Sequence, residues 1–228
     1  MNLTPDHIVL WQWGFVHLNA TILFTWILMI LLTVSSWLAT RKLDAGELPR
    51  SRWQNALEVL AEFVRGQIRG ICAQRADDFL PFIGTLFFFI ATSNLMEIVP
   101  GWHPPTGSLS TTAALAICVA VAVPVFGIMR QGVGGYIRHY LSPSVFLAPI
   151  RLLSEVTRTV ALAVRLFGNI MSGSIIVGLL LAIAPLFVPL LMQILGMVIG
   201  LIQAYIFSIL GMVYIAAAVQ SQRGQEGS

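Results

Sequence analysis

The chain has 228 residues, of which 57% are hydrophobic and only 10% are charged, and its mean hydropathy is +0.84. A soluble globular domain carries about 25% charged residues, so this composition excludes a water-soluble fold and indicates a chain that faces lipid. The net charge of +3 comes from dispersed basic residues without a run of Lys or Arg, which argues against a nucleic-acid partner.

The first part of the chain predicts one membrane span and then a helix on the membrane surface. The apolar segment 16–38 is long enough to cross a bilayer, and Trp11 and Trp13 precede it as candidate interfacial anchors. Segment 41–78 then holds seven Lys or Arg and six Asp or Glu. Within this segment the apolar residues of 53–71 recur on one side of a helix, which predicts an amphipathic surface helix.

Four more spans are expected, at about 80–99, 109–129, 146–184 and 189–220. The Pro/Gly-rich string WHPPTGS separates the first two of these, and the polar string RQGVGGYIRHYLSPS predicts the connector before the third. No charged residue occurs between Arg165 and Arg223, a stretch of 57 residues. Helices of this length are too long for an upright crossing, so we expect two long, strongly tilted helices with a turn near Pro185–Pro189.

The sequence therefore predicts an all-α integral membrane protein, a single membrane domain over residues 1–228 with about five transmembrane helices. Segments 41–78 and 130–145 hold nine of the thirteen basic residues, whereas segments 1–15, 100–108 and 184–190 hold none. The positive-inside rule then predicts an N-terminus outside and a C-terminus in the cytoplasm. Cys72 and Cys118 lie 46 residues apart without the spacing of a metal site, so neither a metal nor a cofactor is expected.

One polar stripe runs along the predicted helix that contains the string RLLSEVTRTVALAVRLFGNIMSGS. At 100° per residue the stripe occupies about a 100° sector of the helix. Its members are Arg151, Glu155, Arg158, Leu162, Arg165, Asn169 and Ser172. Glu155 and Arg158 lie one turn apart and can pair, but Arg165 has no acidic residue within one turn. An Arg within a membrane span costs about 2.5–3.5 kcal/mol on insertion scales, so Arg165 is expected to face a partner or water unless it reaches the inner interface.

The string VALAVRLFGNIMSG resembles the signature of subunit a of F-type ATP synthases, in which an Arg precedes LFGN. The resemblance covers nearly the whole chain. NLMEIVPG is similar to the end of the family's second long span, PPTGSLSTT to its outer loop, and LIQAYIFSILGMVYI to its final helix. The family places two long tilted helices against a ring of c subunits, and this agrees with the spans derived above.

The resemblance implies the stationary ion-translocating subunit of a rotary ATP synthase in the bacterial inner membrane, with the c-ring, peripheral-stalk b subunits and lipid as partners. Each ring subunit would carry a carboxylate that faces lipid only when its ion neutralises it. A fixed positive charge lowers the pKa of an adjacent carboxylate and so drives release of the ion. Guanidinium stays protonated, so Arg165 would separate two half-channels without passing a proton onward.

Further candidates for the ion path follow from the resemblance. Gln203 and Asn169 stand at polar positions of the family motifs, although an ordinary helix-to-helix hydrogen bond is the alternative for each. Glu97 can line the outer access path or be an interfacial surface acid, and Glu155 belongs to the polar stripe around Arg165.

Three positions depart from the family pattern. Ser174 and Gly196 stand where the family often has a titratable pair, and Arg151 stands where it often has Glu. The family's usual proton relay therefore cannot be transferred to this chain. H⁺ is the expected coupling ion, and Na⁺ is the alternative.

Two other kinds of protein remain as rivals. A stand-alone secondary transporter often shows two repeated halves, which this sequence lacks. A purely structural membrane scaffold would gain nothing from the cost of inserting Arg165. No GxxxxGK[ST] loop is present, so nucleotide chemistry is expected on partner subunits and not in this chain.

Overall fold

The computed structural model describes residues 9–13, 16–40, 52–72, 76–99, 102, 104–141, 148–183 and 187–220. Two short strands and six α-helices form the described part of the chain. The strands are β1 (Val9–Trp13) and β2 (Val16–Asn19). The helices are α1 (Ala20–Thr40), α2 (Arg52–Ile71), α3 (Ala76–Leu95), α4 (Leu109–Leu141), α5 (Ala148–Ile183) and α6 (Val188–Gln220).

Five of these helices are long and apolar enough to cross a membrane. The apolar windows run over Thr21–Leu38, Ala76–Ile98, Leu109–Met129, Leu153–Ile183 and Val188–Val219. The prediction of an all-helical membrane protein with five spans is therefore confirmed. The tilt of α5 and α6 in the bilayer stays a prediction, although their 36 and 33 residues exceed the roughly 20 that one upright crossing needs.

The N-terminal boundary differs from the prediction. The first span was expected to begin at residue 16, but Val16–Asn19 pairs with Val9–Trp13 in an antiparallel hairpin, and α1 begins at Ala20. Val and Trp favour extended backbone, which explains why this segment adopts strands before the helix begins. One side of α1 packs against the bundle, and Leu28 on this side has no exposed surface. Trp26 and Ile30 are exposed.

The expected surface helix is present as α2, and it is attached to the bundle at three places. Val64 and Ile68 are buried in the common core. The hydroxyl of Tyr205 in α6 donates to Oε1 of Gln67 at 2.8 Å. Nη2 of Arg65 lies 2.6 Å from the carboxylate of Asp77 at the start of α3.

Helix α4 continues beyond its predicted end. The connector expected after residue 129 is helical as far as Leu141, with a kink at Gly132, where φ is 71° and ψ is 163°. Only Gly adopts this backbone conformation readily, so Gly132 forms a kink between two helical segments of α4. The apolar part of α4 still ends at Met129, as predicted.

The core lies between α3, α4, α5 and α6. Its largest fully buried side chains include Phe79, Ile83, Ile90, Val119, Leu162, Leu166, Phe207, Met212 and Ile215. The turn expected near Pro185–Pro189 falls partly on residues 184–186, which lie outside the described residues. Pro189 is in the first turn of α6, where its missing N–H leaves no helix bond unmade.

Candidate ion-path site

Arg165 lies near the middle of α5 and is exposed, although its neighbours Leu162 and Leu166 are buried in the core. Leu162 and Leu166 lie about 60° and 100° around the helix from Arg165, so Arg165 stands beside the buried side of α5, on its exposed flank. Arg165 has no hydrogen bond or ion pair with any residue in the part of the chain that the structure describes. Its charge is thus presented to whatever adjoins this side of α5.

The remaining polar stripe follows the same helix. Arg158 and Ser172 are exposed, and Glu155 and Asn169 are half-buried. Arg158 differs from Arg165 because its guanidinium carbon lies 5.3 Å from the ring centre of Tyr214 in α6. Leu162 was assigned to the stripe by its helical angle, but it is buried and belongs to the core. The side chain of Arg151 lies outside the described residues.

Gln203 faces the inside of the bundle on α6. Only 7% of it is exposed, and its buried Nε2 has no hydrogen-bond partner among the described residues. A buried donor without an acceptor costs about 1–3 kcal/mol. This amide is therefore a donor that water or another chain can satisfy.

Ser174 and Gly196 bring no charge to the two long helices. The hydroxyl of half-buried Ser174 donates to the carbonyl of Ile170 at 3.0 Å. At Gly196 no atom lies within 4 Å of the point that a Cβ would occupy. Space is consequently available beside α6 at the position where the family often carries a titratable side chain.

Glu97 lies in a 3₁₀ turn, Met96–Ile98, that follows α3, and it is half-buried. Its backbone carbonyl accepts a hydrogen bond from Nε2 of Gln193 at 3.0 Å. Gln193 precedes Gly196 by about one turn of α6. The structure thus brings the Glu97 backbone to the stretch of α6 that contains the open position at Gly196.

A buried polar network near Glu97 was not predicted from the sequence. It connects Ser93 and Asn94 of α3 to Thr106, in the 3₁₀ turn Pro105–Gly107, and to the backbone of Gly200 in α6. Ser93, Asn94 and Thr106 have no exposed surface. The available signal was the presence of hydroxyl and amide side chains at the end of an apolar span, where unpaired polar groups are costly.

The predicted residues belong to α5 and α6, apart from Glu97 in the turn after α3. Arg165 and Ser174 are nine residues apart, which corresponds to about 13 Å of helix. In the described ranges, no three His, Cys, Asp or Glu side chains lie together where they could hold a metal.

Comparison with known proteins gives one consistent result. The family model described as ATP synthase A chain matches residues 22–216. The protein "ATP synthase subunit a 1" of Crocosphaera subtropica is 54% identical over 228 residues, which cover 100% of this chain and 99% of that protein. "ATP synthase subunit a 2" of Acaryochloris marina is 57% identical over 96% of this chain and 94% of its own length. "ATP synthase subunit a" of Albidiferax ferrireducens is 55% identical over 98% of this chain and 96% of its own. The chain belongs to the ATP synthase A chain family and is a non-catalytic subunit of the membrane sector of an ATP synthase complex.

Proposed function

We propose that this chain is the stationary ion-translocating subunit of a rotary F-type ATP synthase in a bacterial plasma membrane. It provides two half-channels to a ring of c subunits and couples transmembrane ion flow to ATP synthesis or hydrolysis. The observation that carries the proposal is the exposed Arg165 in the middle of an apolar helix, which has no hydrogen bond or ion pair with any described residue.

The side of α5 that carries Arg165 adjoins the ring in this proposal. A ring carboxylate that passes Arg165 loses its ion, because the adjacent positive charge lowers the pKa of the carboxylate. The guanidinium holds its proton, so it separates the two half-channels and prevents ions from passing directly between them. The cost of burying this charge in the bilayer is offset in the complex by the opposite charge of the carboxylate.

Gln203 serves the same step from α6. Its buried and unpartnered amide supports a role as donor to a water molecule or to the ring carboxylate as the carboxylate releases its ion. Asn169 and Glu155 on α5 line the path on either side of Arg165. The network around Asn94 is not required for this assignment.

The outer half-channel runs past Ser174 and Gly196 and includes Glu97. Ser174 and Gly196 do not titrate, and the open space at Gly196 supports a hydrated path in place of a relay of ionisable side chains. A hydrated path passes H⁺ and Na⁺ with little discrimination, so ion choice is assigned to the ring. H⁺ is the proposed coupling ion, with Na⁺ as the alternative; ATP-driven uptake of radioactive Na⁺ in the presence of a proton uncoupler distinguishes the two.

Substitution of Arg165 tests the proposal. Arg165→Ala is expected to abolish ion-coupled ATP synthesis while the subunit is still inserted and assembled. Arg165→Lys is expected to fail nearly as completely, because an ammonium is a point charge whose pKa shifts readily on desolvation. Arg158→Ala is the matched control, since Arg158 lies on the same helix side but rests on Tyr214. Near-normal ATP synthesis by Arg165→Ala membranes would contradict the proposal.

A further inference from the structure

The buried network that ends at Gly200 joins two membrane helices and one short turn. Ser93 Oγ lies 3.2 Å from Thr106 Oγ1, Thr106 Oγ1 donates to Asn94 Oδ1 at 2.9 Å, and Asn94 Nδ2 donates to the carbonyl of Gly200 at 2.8 Å. Gly200 and the three side chains are all buried. Asn94 therefore connects α3 directly to α6, and the turn Pro105–Gly107 joins this link through Thr106.

The directions of these hydrogen bonds follow from the number of protons. The Thr106 hydroxyl has one proton and donates it to Asn94, so the hydroxyl of Ser93 must be the donor to Thr106. With its Oδ1 occupied in this way, Asn94 keeps its Nδ2 directed at Gly200. The Gly200 carbonyl can only accept, so a reversed amide would place Oδ1 of Asn94 against the oxygen of Gly200. Thr106 adds a second bond to the amide in this orientation by donating to Oδ1.

The network coincides with a close approach of α3 to α6. A Cβ at position 200 would lie 3.0 Å from Cβ and from Nδ2 of Asn94, closer than such contacts normally occur. Gly107, next to Thr106, lies equally near to α5, because a Cβ there would lie 3.2 Å from Cγ2 of Ile170. The turn therefore packs against α5, which carries Arg165, and reaches α6, which carries Gln203, through Asn94.

We propose that Thr106 is a positioning residue of the ion path. Through Asn94 it holds α6 in one register against α3, and Gly200 is only about 4.5 Å along the helix axis from Gln203. Loss of the Thr106 hydroxyl releases the Asn94 amide, lets α6 shift, and moves the Gln203 amide away from the ion. This inference rests on the proposed function of Gln203 and Arg165, and it adds a residue that touches neither the ring nor the ion.

Thr106→Val tests the inference, because it preserves the side-chain shape and removes the hydroxyl. Thr112→Val is the matched control. Thr112, in the first turn of α4, is equally buried, but among the described residues its hydroxyl donates only to the carbonyls of Ser108 and Leu109 beside it. The measurement is ATP-driven pumping of the coupling ion into inverted membrane vesicles, expressed per ATP hydrolysed and per assembled complex. A merely structural defect lowers the number of complexes but leaves this ratio unchanged.

Thr106→Val is expected to lower the pumping ratio about tenfold. The reason is that loss of the buried hydrogen bond allows α6 to shift its register against α3. Thr106→Ser is expected to restore the ratio, and Thr112→Val to keep it. If Thr106→Val does not assemble, Ser93→Ala replaces it with an expected loss of about threefold, because Thr106 then loses only the donor that orients it.

An unchanged ratio in assembled Thr106→Val complexes would overturn the inference, as would a Thr106→Ser variant as defective as Thr106→Val. In the replacement experiment, a Ser93→Ala ratio equal to that of Thr112→Val would overturn it. The Arg165→Ala variant distinguishes failure of the Thr106 inference from failure of the proposed function. If Arg165→Ala does not couple while Thr106→Val does, positioning by Thr106 is wrong and the proposed function stands. If Arg165→Ala couples normally, the proposed function fails first.

Discussion

At the scale of single residues, the two arginines of α5 show how surroundings distinguish residues of the same type. Arg158 rests on the ring of Tyr214, a contact worth about 0.5–1 kcal/mol at an exposed site. Arg165 lies two turns further along the apolar helix and has no partner in the described part of the chain. The proposed function therefore pairs Arg165 with a carboxylate of the ring and assigns no such partner to Arg158.

Two glycines of α6 make a prediction at the same scale. Gly200→Ala places a Cβ 3.0 Å from the side chain of Asn94, whereas Gly196→Ala places one in open space. We expect Gly200→Ala to destabilise the subunit by about 1–3 kcal/mol through overpacking. Gly196→Ala gains helix propensity of up to about 1 kcal/mol and is not expected to destabilise it.

Both glycine variants are tested by heating the purified complex and measuring how much of this subunit it retains. Equal retention of Gly200→Ala and Gly196→Ala after heating would show that the close approach of α3 and α6 is not as described.

At the scale of elements, α2 is held by specific contacts and not by membrane affinity alone. Its buried residues Val64 and Ile68 join the core, and Phe63 packs on Tyr205 with ring centres 5.9 Å apart. Val59 on its other side is 60% exposed, which suits a helix that also meets lipid or another subunit. The contacts through Tyr205 connect α2 to α6 two residues beyond Gln203.

Tyr205→Phe is therefore expected to loosen α2. The change removes the hydrogen bond to Gln67 and keeps the aromatic contact, so the expected loss is about 0.5–1.5 kcal/mol. Tyr214→Phe is the control, because the Tyr214 hydroxyl has no hydrogen bond among the described residues. We expect a protease to cleave α2 faster in the Tyr205→Phe variant, but not in the Tyr214→Phe variant. Equal cleavage in both variants would mean that this bond does not hold α2 in place.

The elements also show what can be predicted from sequence in this class of protein. Span count and the surface helix follow from hydrophobic periodicity, because lipid imposes the same requirement on every crossing. The continuation of α4 to Leu141 was missed because polar residues and glycines are typical of loops, yet only Gly132 leaves the helical conformation. Arg165 was identifiable because a charge in an apolar span is conspicuous. The buried network was not identifiable from the sequence, because it joins three segments that only the fold brings together. Its members are Ser93, Asn94, Thr106 and Gly200.

At the scale of the whole molecule, an odd number of spans is expected to place the two ends of the chain on opposite sides of the membrane. The positive-inside rule assigns the charged α2 to the cytoplasmic side and the turn before α6 to the outside. Phe187 in that turn and Glu62 on α2 are both exposed. A cysteine at position 187 is expected to react with an impermeant maleimide added to intact cells, and a cysteine at position 62 only after the membrane is opened. The reverse pattern, or labelling of both in intact cells, would remove this topology.

The most direct measurement is ion flow through membrane sectors whose ring has been locked to this subunit by a covalent cross-link. If Arg165 separates two half-channels, ions cross only when the ring turns, so locking is expected to stop passive flow in sectors that carry Arg165. Locked sectors with Arg165→Ala are expected to conduct, because the barrier between the half-channels has been removed, and locked sectors with Arg158→Ala are expected to remain closed. Undiminished flow through locked sectors that retain Arg165, or no flow through locked Arg165→Ala sectors, would contradict the account.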